Sequence, residues 1–322
     1  MPSVYLADFP EPDRIEGAPH PRETARLIGH EGAQADFLQS YNAGRLHHGW
    51  LITGPRGLGK ATLAWKIARF LLATPEDDGG MFALPPPDTL DIPDDHPVAR
   101  RLAALSEPRV YLLRRGLTET EKAVTQEISV REVRKMKEYF GLSAADGGRR
   151  VAIVDAADEL NVSAANALLK LLEEPPAGVT FLMISHQPSR LLPTIRSRCR
   201  ELRLGALPAP QMAEALALAG VQSEAPEALA ELSGGSVGEA VRVAQLDGDA
   251  LYAELVQLFG ALPRLDRGKL LTLAESGAGK GNAARFDLTL TLMDLLLSRL
   301  ARAGTLGRTP PEAARGEAAL LN

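Results

Sequence analysis

Short apolar runs recur along the first two thirds of the chain. Trp50-Leu51-Ile52-Thr53, Val110-Tyr111-Leu112-Leu113, Val151-Ala152-Ile153-Val154 and Phe181-Leu182-Met183-Ile184 each have the length and residue content of a strand buried on both faces. Helical patterns lie between them, the first over Lys60 to Leu72. Strand alternating with helix predicts an α/β fold, a parallel sheet with helices on both faces. Ser129 with Glu132 fits a capping box, and Ile128 with Val133 fits the hydrophobic staple around it, so a helix should start there. The stretch 74–108 contains Pro85-Pro86-Pro87, Asp77-Asp78-Gly79-Gly80 and Asp94-Asp95. That composition predicts a solvated, partly mobile surface loop.

The strand-like runs stop after Leu204. Residues 208–246 predict two or three short helices broken at Gly220 and Gly234-Gly235, and 247–303 is helical again. Phe286, Leu290, Met293, Leu297 and Leu300 are spaced by four and three, which places them on one helix face and predicts a packing stripe. From about Thr305 the chain is rich in Ala, Gly and Pro and is expected to fray.

Composition narrows the function classes. Hydrophobic residues are 45% and charged residues 24% of 322, an ordinary globular balance. With 36 Lys and Arg against 41 Asp and Glu, the net charge is −5, a poor basis for gripping a phosphate backbone unaided. Cys199 is the single cysteine, so neither an internal disulfide nor a cysteine-rich zinc site can form. No apolar stretch approaches the ~20 residues of a spanning helix, which argues against a membrane partner. The first 21 residues carry Asp8, Glu11, Asp13 and Glu16, unlike a secretory leader. The expectation is a soluble, cytoplasmic chain.

One motif carries chemistry. Gly54-Pro55-Arg56-Gly57-Leu58-Gly59-Lys60 follows a predicted strand and opens a predicted helix, the spacing of a phosphate loop. Glycines let successive N–H groups turn toward one anion, the helix start adds partial positive charge, and Lys60 reaches the outer phosphates. The next residue should offer a hydroxyl to magnesium, but it is Ala61. Thr62 lies about 100° further round the helix. The strand at 151–154 runs into Asp155, as in an acidic strand end beside such a loop. The glutamate that would polarise water is replaced by Ala156. Asp158 and Glu159 are expected to act as helix-cap acids.

These residues, with Asn166-Ala167-Leu168-Leu169-Lys170, Leu172-Glu173-Glu174-Pro175-Pro176 and Ser197-Arg198-Cys199, resemble the bacterial clamp-loader AAA+ subunits of DNA polymerase III over about residues 27–245. The incomplete loop resembles the non-motor, delta-prime type. The resemblance implies an N-terminal arm (1–26), an AAA+ P-loop domain (27–205, with the loop 74–108), a small helical lid (206–246) and a helical collar for oligomerisation (247–322). It implies that Arg198 is an arginine finger acting in trans. The implied nucleotide residues are Gly54, Pro55, Arg56, Gly57, Gly59, Lys60, Thr62 and Asp155. The implied partners are motor subunits and the delta subunit, with the sliding clamp reached indirectly and primed DNA through the complex. Four cysteines that hold zinc in many relatives have no counterpart in 74–108, where Asp94, Asp95 and His96 lack thiolate spacing, so no metal is expected. Glycine at Gly238 replaces a phosphate-sensing arginine, with Arg242 one turn on as a weak substitute.

Ala61, Ala156 and Gly238 depart in one direction, toward a subunit without its own ATPase. Three states stay open for the loop: ATP or ADP held weakly, a bare phosphate, or an empty structural turn. An autonomous P-loop ATPase using Asp155 with Asp158 or Glu159 is the alternative function, and a surface salt bridge is the alternative role for Arg198. Arg131, Arg134, Lys135 and Lys137 crowd one helix, either as a DNA-facing surface or as a solvated face.

Overall fold

The computed structural model describes residues 11, 14, 15, 17–24, 26–75, 85–118, 124–142, 148–223, 225–279, 281–307 and 309–321. Asp8, Asp13, Glu16 and the residues Asp77-Asp78-Gly79-Gly80 lie outside them. The chain divides into two compact units, residues 1–205 and 206–322.

The first unit is built on five parallel strands: β1 (Gly49–Thr53), β2 (Val110–Leu113), β3 (Arg150–Asp155), β4 (Val179–Ser185) and β5 (Arg200–Arg203). They lie in the order β2-β3-β4-β1-β5. The four apolar runs are strands β1 to β4. Successive side chains alternate between two cores, as a two-residue repeat requires. Trp50, Ile52, Val151, Ile153, Leu182 and Ile184 face a core covered by α1 (Glu31–Asn42), α2 (Lys60–Ala73) and α3 (Pro97–Ala103). Leu51, Ala152, Val154, Phe181 and Met183 face the other, covered by α4 (Val130–Leu142) and α5 (Val162–Glu173). This is the predicted parallel sheet with helices on both faces. Strand β5 eluded the apolar-run reading because only Leu202 is buried in its Arg-Glu-Leu-Arg sequence.

Ile128 and Val133 are both buried at the start of α4, and the Glu132 carboxylate pairs with Lys135 at 2.9 Å. The short α6 (Pro193–Arg196) leads into β5.

The expectation of a solvated loop over 74–108 needs correction for its described residues 85–108. Leu90, Val98 and Leu102 are buried in the first core, and α3 packs along α2. His96 caps α3, its Nδ1 accepting from the Val98 N–H at 3.2 Å, and Lys66 Nζ on α2 meets Asp91 at 2.7 Å. Apolar residues spaced among the prolines and aspartates are enough to dock the segment.

The second unit is helical: α7 (Ala209–Leu218), α8 (Pro226–Leu232), α9 (Val237–Gln245), α10 (Gly248–Gly260), α11 (Arg267–Ser276), α12 (Ala283–Leu306) and α13 (Glu317–Leu321). Two expectations fail here. Three residues of the predicted packing stripe on α12 face outward, Phe286 and Leu290 each 50% and Leu297 46% exposed, while Met293 and Leu300 are half-buried. Leu288, Leu292, Leu296, Arg299 and Ala303 form the buried face instead. Leucines populate both faces of this helix, so spacing alone could not choose between them. The C-terminal segment is docked through a buried polar cluster. Tyr252 Oη donates to Glu317 Oε1 at 2.5 Å, Arg299 Nε donates to the same oxygen at 2.6 Å, and the Ala313 N–H donates to Glu317 Oε2 at 2.7 Å. Arg299 also reaches the Pro311 carbonyl and Glu231.

Candidate functional site

The loop after β1 turns back on itself through glycines where other residues would not fit. Gly54, Gly57 and Gly59 have φ of 141°, 74° and 84°. A Cβ on Gly54 would lie 2.6 Å from the Leu204 carbonyl oxygen, and one on Gly59 2.9 Å from Leu27 Cδ1. His30 Nε2 lies 2.9 Å from the Leu58 carbonyl oxygen and fixes the loop from outside. Its imidazole is pushed toward the neutral form chiefly by burial.

Lys60, the first residue of α2, is 3% exposed and donates from Nζ to the Pro55 carbonyl. Burial lowers its pKa to about 8, against the favourable charges of Asp155 and Asp158 and with the unfavourable one of Arg56. A buried ammonium ion among glycine-lined backbone suits an anionic ligand, so the chemistry of the site fits phosphate. It fits magnesium poorly, since Ala61 offers no hydroxyl.

The carboxyl ends of β3 and β4 converge on the same place, where ligands bind in open α/β sheets. Asp155 closes β3 at the sheet end from which Lys60 feels its charge. Asp158 and Glu159 are not helix-cap acids. They sit in a 3-10 turn (Ala157–Glu159), and the cap of α5 is Asn161, whose side chain accepts from the Ala164 N–H at 2.9 Å. Asp158 Oδ1 accepts from the His186 N–H at 2.9 Å, and Glu159 bridges Arg56 at 3.3 Å and Arg115 at 3.0 Å. Tertiary partners won over the local helix start.

Sequence reasoning missed Ser185 and His186 at the end of β4. Ser185 Oγ and His186 Nδ1 are buried with no hydrogen-bond partner among the described residues. Burial, then the Lys60 charge, lowers the His186 pKa to about 4, opposed by Asp158. Two polar residues directly after the fully buried Phe181-Leu182-Met183-Ile184 run were the available signal. Thr62 is half-buried one residue beyond Ala61.

Arg198 lies elsewhere. A Cβ on Gly49, at the start of β1, would lie 3.3 Å from the Arg198 carbonyl oxygen and 3.3 Å from Cys199 Sγ. The glycine turn of residues 54–59 begins at the other end of that strand, about 16 Å away at about 3.3 Å per residue. The Arg198 guanidinium pairs with Glu173 at 2.8 Å and donates to the Thr194 carbonyl at 3.0 Å. Burial pushes the neighbouring Cys199 thiol up to about 12. In the second unit, Ser236 caps α9 by accepting from the Glu239 N–H at 3.2 Å, and Arg242 pairs with Glu239 at 3.2 Å.

Among the described residues no group of three or more His, Cys, Asp or Glu is arranged to hold a metal ion, and no helix is long and apolar enough to cross a membrane.

The chain is 36% identical over 236 residues to the DNA polymerase III subunit delta' of Pseudomonas aeruginosa, covering 71% of this chain and 65% of that one. It is 34% identical over 220 residues to the subunit delta' of Escherichia coli K12, covering 66% and 58%. It thus spans less than two thirds of the length of either relative. Two solved structures are similar at a lower level, each with 18% identity. One is the RuvB Holliday junction branch migration motor of Thermotoga maritima, with TM-score 0.44 and coverage of 91% and 83%. The other is a DNA polymerase III gamma subunit-related protein of the same organism, with TM-score 0.33 and coverage of 84% and 73%. The family described as DNA polymerase III, delta subunit, matches residues 29–208. With that match running over more than half of its 322 residues, the chain belongs to the DNA polymerase III delta subunit family.

Proposed function

We propose that this chain is a non-motor, delta-prime-like clamp-loader subunit that lends Arg198 to ATP held by a neighbouring motor subunit. The observation that carries the reading is the position of Arg198. It lies beside the start of β1, the far end of that strand from the chain's own phosphate loop. A guanidinium there serves a triphosphate on another molecule far more readily than one on its own loop. Its planar fork of donors suits phosphate oxygens and the charge that develops on them.

The chain's own loop is a phosphate cradle without a magnesium hydroxyl at Ala61 or a water-polarising glutamate at Ala156. Any ATP or ADP held there stays unsplit. The relatives named delta' support the subunit type. The remaining partners follow as parts of the same proposal: the motor and delta subunits directly, and the sliding clamp and primed DNA through the assembled complex in the cytoplasm. The outward apolar face of α11 and α12, with Leu270, Leu271, Phe286, Leu290 and Leu297 exposed, is suited to a collar between subunits. Arg131, Arg134 and Lys137 are exposed on α4 and supply a basic face for template phosphates.

Phosphate release by the purified chain, with and without magnesium, tests the reading. The expected result is background release in both. Magnesium-dependent turnover abolished by Lys60→Ala would instead establish an autonomous ATPase.

A further inference from the structure

Resting on the reading of Arg198 as a trans-acting finger, we propose that Glu173 is its positioning residue. Arg198 has five N–H donors. In this structure one terminal nitrogen meets Glu173 Oε1 at 2.8 Å and the other donates to the Thr194 carbonyl at 3.0 Å. Both acceptors sit at helix ends. Glu173 is the last residue of α5, and Thr194 lies within α6, whose final residue is Arg196. The C-terminus of the twelve-residue α5 carries partial negative charge and favours a cation beside Glu173, while the one-turn α6 supplies the Thr194 carbonyl. The backbone beneath is fixed as well. The Arg198 N–H donates to the Ile195 carbonyl at 3.1 Å, and the space around Gly49 is filled by the Arg198 carbonyl, Cys199 and Leu172.

One contact at each terminal nitrogen holds the guanidinium in place, and three of its five N–H donors remain for phosphate oxygens. Without the carboxylate, a side chain this exposed samples several rotamers, and a neighbour's triphosphate must order it on arrival. The Glu173 and Arg198 side chains are 42% and 36% exposed. The pair is therefore weak, and its loss should slow the finger rather than abolish it.

The test uses the complex reconstituted from this chain and its motor and delta subunits, comparing wild type, Glu173→Gln, Glu173→Asp, Arg198→Ala and the double variant Glu173→Gln/Arg198→Ala. ATP turnover is measured beside assembly by native mass. Glu173→Gln is expected to lower kcat about threefold, the scale of an exposed ion pair. KM for ATP and assembly should be unchanged, and Glu173→Asp should recover part of the loss. The double variant should turn over at the same rate as Arg198→Ala, because Glu173 acts only through the guanidinium. Wild-type kcat in Glu173→Gln, a raised kcat, or a further loss in the double variant overturns the inference while leaving the finger standing. Undiminished turnover in Arg198→Ala overturns the finger itself, and the positioning role with it.

Discussion

Lys60 is the residue where ligand binding and stability pull in opposite directions. It is 3% exposed, and burial brings its pKa from 10.5 to about 8. At about 1.4 kcal/mol per pH unit, holding it charged costs the folded chain about 3 kcal/mol near neutral pH. Lys60→Met keeps most of the volume and removes the charge. It also removes the hydrogen bond to the Pro55 carbonyl, a loss of about 1 kcal/mol. The net expectation is stabilisation by about 2 kcal/mol, or a rise in Tm of about 4–8 °C for a unit of this size.

Because the folded pKa lies below the unfolded one, the penalty is complete below about pH 8 and fades as pH rises toward 10.5. The advantage of the variant should therefore be clear at pH 7.5 and small at pH 10. Trp50 and Trp65 are the only tryptophans, and both are buried in the first unit, so intrinsic fluorescence follows its unfolding separately from the helical unit. A variant no more stable than wild type at pH 7.5, or one with the same advantage at pH 10, would refute the reasoning. Retention of a costly buried cation makes sense if a phosphate-bearing ligand is its intended counter-charge.

Three further outcomes follow from the same structure. His186 is held neutral with a pKa of about 4, so stability should fall as pH drops from about 6.5 toward 4; His30 and His48 shift in the same direction, and His186→Gln should flatten part of that limb in Tm scans. Glu317→Ala leaves Tyr252 Oη and the Ala313 N–H without their acceptor and Arg299 with only Glu231 and the Pro311 carbonyl, and should cost about 3–5 kcal/mol in urea unfolding followed by far-ultraviolet circular dichroism, with Arg299→Met/Glu317→Leu recovering part of it. On α12, Leu292→Ala should cost about 2–5 kcal/mol. Leu290→Asp and Leu297→Asp should stay within about 0.5 kcal/mol of wild type, yet weaken assembly of the complex in analytical ultracentrifugation.

Much of the first unit was legible because its chemistry is local. A run of four apolar residues is legible as a strand, and the spacing of Gly54, Gly59 and Lys60 as a glycine turn that opens a helix. The misses come from tertiary choices that spacing does not encode. Asp158 and Glu159 look like cap acids until His186, Arg56 and Arg115 claim them. The α12 leucines offer two faces, and only contact with its neighbours selects one. Glu317 docks a segment whose Ala, Gly and Pro content suggests fraying. Arg198 is singled out only by the Ser-Arg-Cys resemblance, since a lone surface arginine has no signature of its own. Its contact with Glu173 joins residues 25 positions apart across α6 and β4.

The most direct test of the central claim is ATP turnover by the assembled clamp loader carrying Arg198→Ala in this chain alone. The account predicts a loss of turnover with the subunit composition of the complex intact and with Lys60→Met near wild type. Undiminished turnover in the Arg198 variant, or its loss in Lys60→Met alone, would contradict it.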